Sequence, residues 1–285
     1  MQSRPNILFV LTDDQGAWAL HCAGNEEIYT PNLDRLAAQG MRFENFFCAS
    51  PVCSPARATL LTGTIPSAHG VLDWLRGGNL DRERIPAEMV SDAYADFSDE
   101  HKPIQYLAGK IAYTDILAQN GYTCALAGKW HLGDSMVPQH GFRYWYTVGR
   151  GGCCYYHPDI VEDGRLHFEH GHYVTDLITD KALEFLDTLS KDNAPFYLSV
   201  HYTAPHAPWE AEHHPKEFID LYEDCPFLST PDVPDHPGLT CEPMYGTPRR
   251  KEKLRGYYAA VTAMDQGVGK LLDALEEKIC QTTLW

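Results

Sequence analysis

No stretch of this chain approaches the ~20 consecutive apolar residues that a membrane-spanning helix requires. Positive charge is scarce. Only 23 Lys and Arg stand against 39 Asp and Glu, leaving a formal net charge of −16. That balance excludes unspecific attraction to nucleic acid or to an anionic membrane surface. An anionic small substrate stays open, provided that cationic side chains converge in one cleft. The opening MQSRPNILFV shows no secretory pattern: one arginine precedes a short apolar run, which ends in Thr12-Asp13-Asp14 without a small-residue cleavage site. Paired C-x-x-C zinc motifs are missing too. The nine cysteines are odd in number and irregularly spaced, with Cys153 and Cys154 adjacent, and they read as mostly reduced thiols. Internal repeats and low-complexity tracts are likewise lacking. The expectation is a soluble, acidic, cytoplasmic protein with no membrane and no nucleic-acid partner.

What is present is the pattern of an α/β chain of 285 residues, long enough to bury a sizeable core. Asn6 to Leu11, NILFVL, is a continuous apolar run that predicts a strand buried on both faces. TPNLDRLAAQG predicts a helix with Thr30 as N-cap, Pro31 in the first turn and Gly40 past the end. YLAGKIAYTDILAQNGYTCALAG reads as helix, glycine turn and strand. YVTDLITDKALEFLDTLS and APFYLSVHY repeat helix then strand. A long helix is expected from about Arg249 to Lys278, and residues 69–103 carry no assignable pattern. Strands alternating with helices predict a mostly parallel sheet covered on both faces, with ligands collecting at the carboxyl ends of its strands.

The residues just past those predicted strands are ionisable: Asp13 and Asp14, then Lys129 and His131, then His201 and His206. Adjacent carboxylates repel unless a cation lies between them, so Asp13 and Asp14 read either as a divalent-ion site or as a solvated turn. In GKWHLG, Lys129 and His131 alternate, which would turn both to one side of an extended segment. Lysine suits an oxyanion, and histidine moves a proton near neutral pH. His206 lies between prolines that stiffen its loop. In CSPARATLLTG, Ser54 as N-cap and Pro55 in the first turn would set Cys53 just outside a helix N-terminus, where negative charge is favoured. Cys53 is then a small buried hydrophobe, a thiol nucleophile, or the precursor of another group. The loop aromatics Trp74, Tyr155, Tyr156 and Trp209, with His157, could stack on a sugar or simply pack.

Taken together, these segments resemble the type I sulfatases of the alkaline-phosphatase-like superfamily. The C-x-P-x-R signature stands here as Cys53-Ser54-Pro55-Ala56-Arg57, followed by Leu61-Thr62-Gly63. RPNILFVLTDDQG, TPNLDRLAAQG, GKWHLG and APHAP occur in the family's order. The resemblance implies an α/β/α sandwich with a mostly parallel central sheet and hydrolysis of a small-molecule or carbohydrate sulfate ester. It implies conversion of Cys53 to formylglycine (3-oxoalanine) by a formylglycine-generating, sulfatase-maturing enzyme. By the same resemblance, one hydroxyl of the aldehyde hydrate would attack sulfur as the alcohol leaves, and loss of the other's proton would expel sulfate as the aldehyde reforms. Asp13, Asp14 and residue 53 would bind a divalent ion, calcium with magnesium as the alternative. Arg57 would hold the hydrate, Lys129 contact sulfate, His131 take a proton, and His206 assist the leaving oxygen.

The resemblance covers residues 1–278 as the N-terminal catalytic domain. The family's next strand, which carries a second metal-ligand pair, and its C-terminal subdomain are not matched, and 279–285 reads as a non-matching tail. Asp265-Gln266-Gly267 mimics the missing pair but falls mid-helix. The chain is therefore expected to be a truncated sulfatase. The alternatives are a phosphonate or phosphodiester hydrolase of the same superfamily, an inactive fragment, or a thiol enzyme using Cys53.

Overall fold

A computed structural model describes residues 4–75, 80, 82–85, 103–235 and 244–279. The chain divides into two compact units, one of residues 1–11, 44–203 and 271–285, the other of residues 12–43 and 204–270.

The first unit is built on a six-stranded sheet. Its strands are β1 (Ile7–Leu11), β2 (Thr123–Lys129), β3 (Phe142–Val148), β4 (Asp159–Glu162), β5 (Arg165–Phe168) and β6 (Phe196–His201), in the order β1-β6-β2-β3-β4-β5. The first four in that order run parallel, while β3, β4 and β5 pair antiparallel. The central strand β6 is buried at every residue and β2 at all but its first, as expected of parallel strands covered on both faces. β1 departs from its expectation. It lies at the edge of the sheet and is only half-buried along its length.

Helices α2 (Cys53–Thr62), α3 (Pro66–His69), α4 (Tyr113–Gln119) and α5 (Val174–Leu189) accompany this sheet. α4 begins later than the sequence suggests. The Asp115 carboxylate accepts the backbone N–H of Ala112 at 2.8 Å, which fixes the first turn there. On α5, Val174, Ile178, Ala182, Phe185, Leu186 and Leu189 are buried, the stripe of an amphipathic helix against a sheet. An apolar cluster of Leu61, Leu107, Leu126, Trp130, Phe142 and Trp145 fills the space between α2 and the strands.

The second unit contains α1 (Pro31–Gln39), α6 (Lys216–Asp220) and α7 (Pro248–Ile279) up to Lys270, matching the long helix expected over 249–278. The N-terminus of α1 is capped from a distance. Asp265, 1% exposed, accepts N–H groups from Asn32 at 3.2 Å and Leu33 at 2.8 Å, and the Asn32 side-chain amide at 2.9 Å. Burial pushes its carboxyl pKa upward. Thr30 stands at the cap position without capping. Its hydroxyl accepts the His21 N–H at 2.9 Å instead. Gly40 is extended (φ −128°) rather than left-handed. Gly269 supplies the room for Asn32, since a Cβ there would overlap the Asn32 amide.

Candidate functional site

In the first unit the carboxyl ends of three parallel strands stand level. Leu11 and Gly128 both pair with His201. At that level Arg57, one turn into α2, donates Nη1–H to the Lys129 carbonyl at 2.7 Å. His201 Nδ1 lies 3.1 Å from the same carbonyl and 3.3 Å from Arg57 Nη1, and its Nε2 lies 2.7 Å from Ser199 Oγ. Arg57 is 4% exposed and Lys129 fully buried. Arg57 and Lys129 are both buried at this strand-end level, and two basic side chains out of water in an acidic chain are suited to hold negative charge. Gly128 is essential to the corner. Its φ is +115°, and a Cβ there would strike the His201 carbonyl.

The structure starts α2 at Cys53, with extended Val52 in the cap position. Cys53 is therefore the first helical residue, not the residue outside it, and Ser54 does not cap. Ser54 Oγ accepts the Leu75 N–H at 3.3 Å, and the Leu75 carbonyl accepts His131 Nε2–H at 2.8 Å. α2 and His131 are thus braced on the same short segment. The expected alternation of Lys129 and His131 fails because the strand ends at Lys129 and His131 is left-handed (φ 55°). A non-glycine residue held there stores strain that the surrounding packing must sustain. The Trp74 ring meets His131 edge-on at 6.3 Å. Gly151 leaves the imidazole its space, because a Cβ at 151 would overlap the ring.

In the second unit, Asp13 is 5% exposed and donates its N–H to the Ala204 carbonyl at 3.1 Å. Asp14 is exposed and left-handed (φ 60°). Tyr257 clamps that turn: its hydroxyl donates to the Asp14 carbonyl at 3.1 Å and accepts the Gly16 N–H at 2.8 Å. Burial pushes the Tyr257 phenol up to about 12, so it stays protonated for this donation. His206 donates Nδ1–H to the Ala207 carbonyl at 2.8 Å, which turns Nε2 toward Asp14 Oδ2 at 3.6 Å. The Trp209 indole donates to the Pro205 carbonyl at 2.7 Å, and His214 Nε2–H to the Pro208 carbonyl at 3.0 Å, bracing the loop that carries His206. The donors suit a hard divalent cation. Two successive carboxylates, one of them buried, supply oxygen ligands whose repulsion such an ion relieves.

Three further results bear on the sequence expectations. Asp265 is occupied in capping α1, which accounts for the acidic residue inside the helix. Tyr155 is 1% exposed and stacks on Tyr173 at 5.2 Å, so it belongs to the core. Ser199 and Gly151 were not singled out by sequence reasoning. Ser199 is recoverable from its i, i+2 spacing to His201 on one strand face, whereas nothing in the sequence marks Gly151.

Four parallel strands with helices packed around them define an α/β protein, and its likeness to solved sulfatase structures makes the class alkaline-phosphatase-like. The chain belongs to the sulfatase family, whose model, described as Sulfatase, matches residues 5–284. It is similar to N-acetylglucosamine-6-O-sulfatase of Bacteroides thetaiotaomicron, with 37% identity over 72% of this chain and 31% of that protein. N-acetylgalactosamine-6-sulfatase of Mus musculus is 31% identical over 95% of this chain and 47% of its own length. A solved structure in complex with its substrate, D-glucosamine-2-N,6-O-disulfate, matches with a TM-score of 0.66 and 28% identity, covering 96% of this chain and 63% of that one. The chain thus spans less than half the length of these two curated relatives.

Proposed function

We propose that this chain is the nucleophile-bearing part of a sulfuric ester hydrolase that releases sulfate from a sulfated carbohydrate. The observation that supports this best is buried Arg57, on the helix that begins at Cys53, donating to the backbone carbonyl of buried Lys129 at the end of β2. The names of the three relatives, each of which carries a sulfated amino sugar, support the substrate class.

In this reading Cys53 is matured to formylglycine by a dedicated enzyme. The hydrated aldehyde supplies the nucleophile, and a divalent ion on Asp13, Asp14 and residue 53, calcium before magnesium, supplies Lewis acidity. The chain's own side chains do the rest. Arg57, at the same helical face as residue 53 one turn later, holds that residue's oxygens and offsets charge. Lys129 binds a sulfate oxygen as a point charge. His131 accepts a proton at Nδ1, its Nε2–H being given to Leu75. His206 presents Nε2 to the leaving oxygen, with Nδ1–H anchored on Ala207.

The test is peptide mapping of residue 53 in protein from its native host, with turnover of an aryl sulfate and an aryl phosphonate. Aldehyde at 53 with sulfate release supports the reading. Preferential phosphonate cleavage selects the sister hydrolase activity. Free thiol at 53 in turning-over protein overturns it in favour of a thiol enzyme. A further outcome, aldehyde without turnover, would mark this length of chain as inactive alone. Independently of activity, calcium should raise the thermal midpoint of the wild-type chain and not that of Asp13→Ala.

A further inference from the structure

The second unit holds a cavity of about 230 Å³ that none of the site chemistry above uses. Its wall is aromatic. Trp18 stacks on Tyr257 with ring centroids 5.4 Å apart, and Trp209 meets Tyr257 edge-on at 5.9 Å. All three rings line the space, together with Arg250, Lys253 and Val233. The volume lies below that of pockets for drug-sized ligands and fits one small ring.

The polar part of the wall narrows the chemistry. Lys253 is paired with Glu210, and Arg250 Nε lies 3.3 Å from Asp232 Oδ1 while its Nη2–H donates to the Pro231 carbonyl at 3.1 Å. Each cation therefore meets its own carboxylate. The wall offers fixed donors and acceptors side by side but no surplus positive charge to reward a second sulfate. Asp235, which also lines the space, accepts the Met244 and Tyr245 N–H groups at 2.8 and 3.1 Å, and aromatic surface beside such donors and acceptors matches a sugar ring with free hydroxyls. The cavity is also tied to the candidate chemistry within its own unit. Tyr257 holds the Asp14 turn by its hydroxyl, and Trp209 follows His206 by three residues.

We propose that this cavity is a subsite for an uncharged sugar residue adjoining the sulfated one. The inference rests on the sulfated-carbohydrate reading, and it makes Trp18 and Trp209 the specificity-determining residues for an oligosaccharide over a simple sulfate ester.

Titration of the full chain with neutral disaccharides, N,N′-diacetylchitobiose and lactose among them, tests this through tryptophan fluorescence. A saturable change is expected, with Kd raised at least about tenfold in Trp18→Ala and in Val233→Trp, which fills the cavity without removing a wall ring. The second variant guards against a folding defect in the first. Absence of a saturable change with every neutral disaccharide, equal affinity in both variants, or binding confined to anionic disaccharides would each overturn the proposal. Fluorescence needs no formylglycine, so the two readings fail separately. Binding without sulfate release from any ester sinks the hydrolase, whereas sulfate release without neutral-sugar binding sinks the subsite.

Discussion

Gly151 and His214 show how single residues set the site and its pH range. Gly151 leaves the His131 ring its place, and its own backbone is not left-handed, so alanine there is a purely steric change. Gly151→Ala should displace the imidazole and lower kcat by one to two orders of magnitude, with a thermal midpoint close to wild type. A kcat unchanged by the substitution would show that His131 takes no part. Burial lowers the His214 pKa from 6.5 to about 4. The unfolded chain binds a proton that the folded chain refuses between those values. Stability is therefore complete above about pH 6.5, falls as pH drops toward 4, and levels off below, by about 3 kcal/mol in all. Urea unfolding at pH 7 and pH 4.5 should show this loss, and His214→Gln should reduce it. His69, also lowered by burial, adds loss of the same sign.

Among the described elements, α1 is one whose start depends on a distant partner. Asp265→Ala removes the acceptor of two backbone N–H groups and leaves them in a buried pocket. A loss of about 1–3 kcal/mol is expected, with faster hydrogen exchange at Asn32 and Leu33 and a smaller loss in Asp265→Asn. A change under 0.5 kcal/mol would mean that water replaces the cap. The same element shows where sequence reasoning ends. Its extent was legible from TPNLDRLAAQG, yet its cap was not, because the capping carboxylate lies more than two hundred residues away. The strands β1, β2 and β6 and the helices α5 and α7 were legible from apolar runs and period. The β4–β5 hairpin was passed over although Asp163-Gly164, both left-handed, carries the signal of a two-residue turn. β3 was missed because FRYWYTV shows no clean alternation. At the site, residue types at strand ends pointed to Lys129 and His206, and the C-x-P-x-R segment pointed to Arg57. The Ser54–Leu75–His131 brace was not legible, since backbone groups leave no trace in side-chain pattern.

For the whole molecule, the dominant quantity is a net charge of −16. Two buried cations are a local exception to a field that repels an anionic oligosaccharide at long range. Raising NaCl from about 10 to about 150 mM should therefore increase kcat/KM for such a substrate by up to a few-fold, through screening of that repulsion. A steady fall with salt would mean that local attraction governs encounter instead.

The edge position of β1 reaches beyond the site. Ile7–Leu11 contains neither proline nor a charged residue, and among the described residues its partner in the sheet is β6 alone. Such a strand is a template on which another chain can align its own backbone. Self-association of the purified chain is expected to start from these five residues at its margin. Monodisperse when dilute, it should gain light scattering as concentration rises, however well the rest is folded.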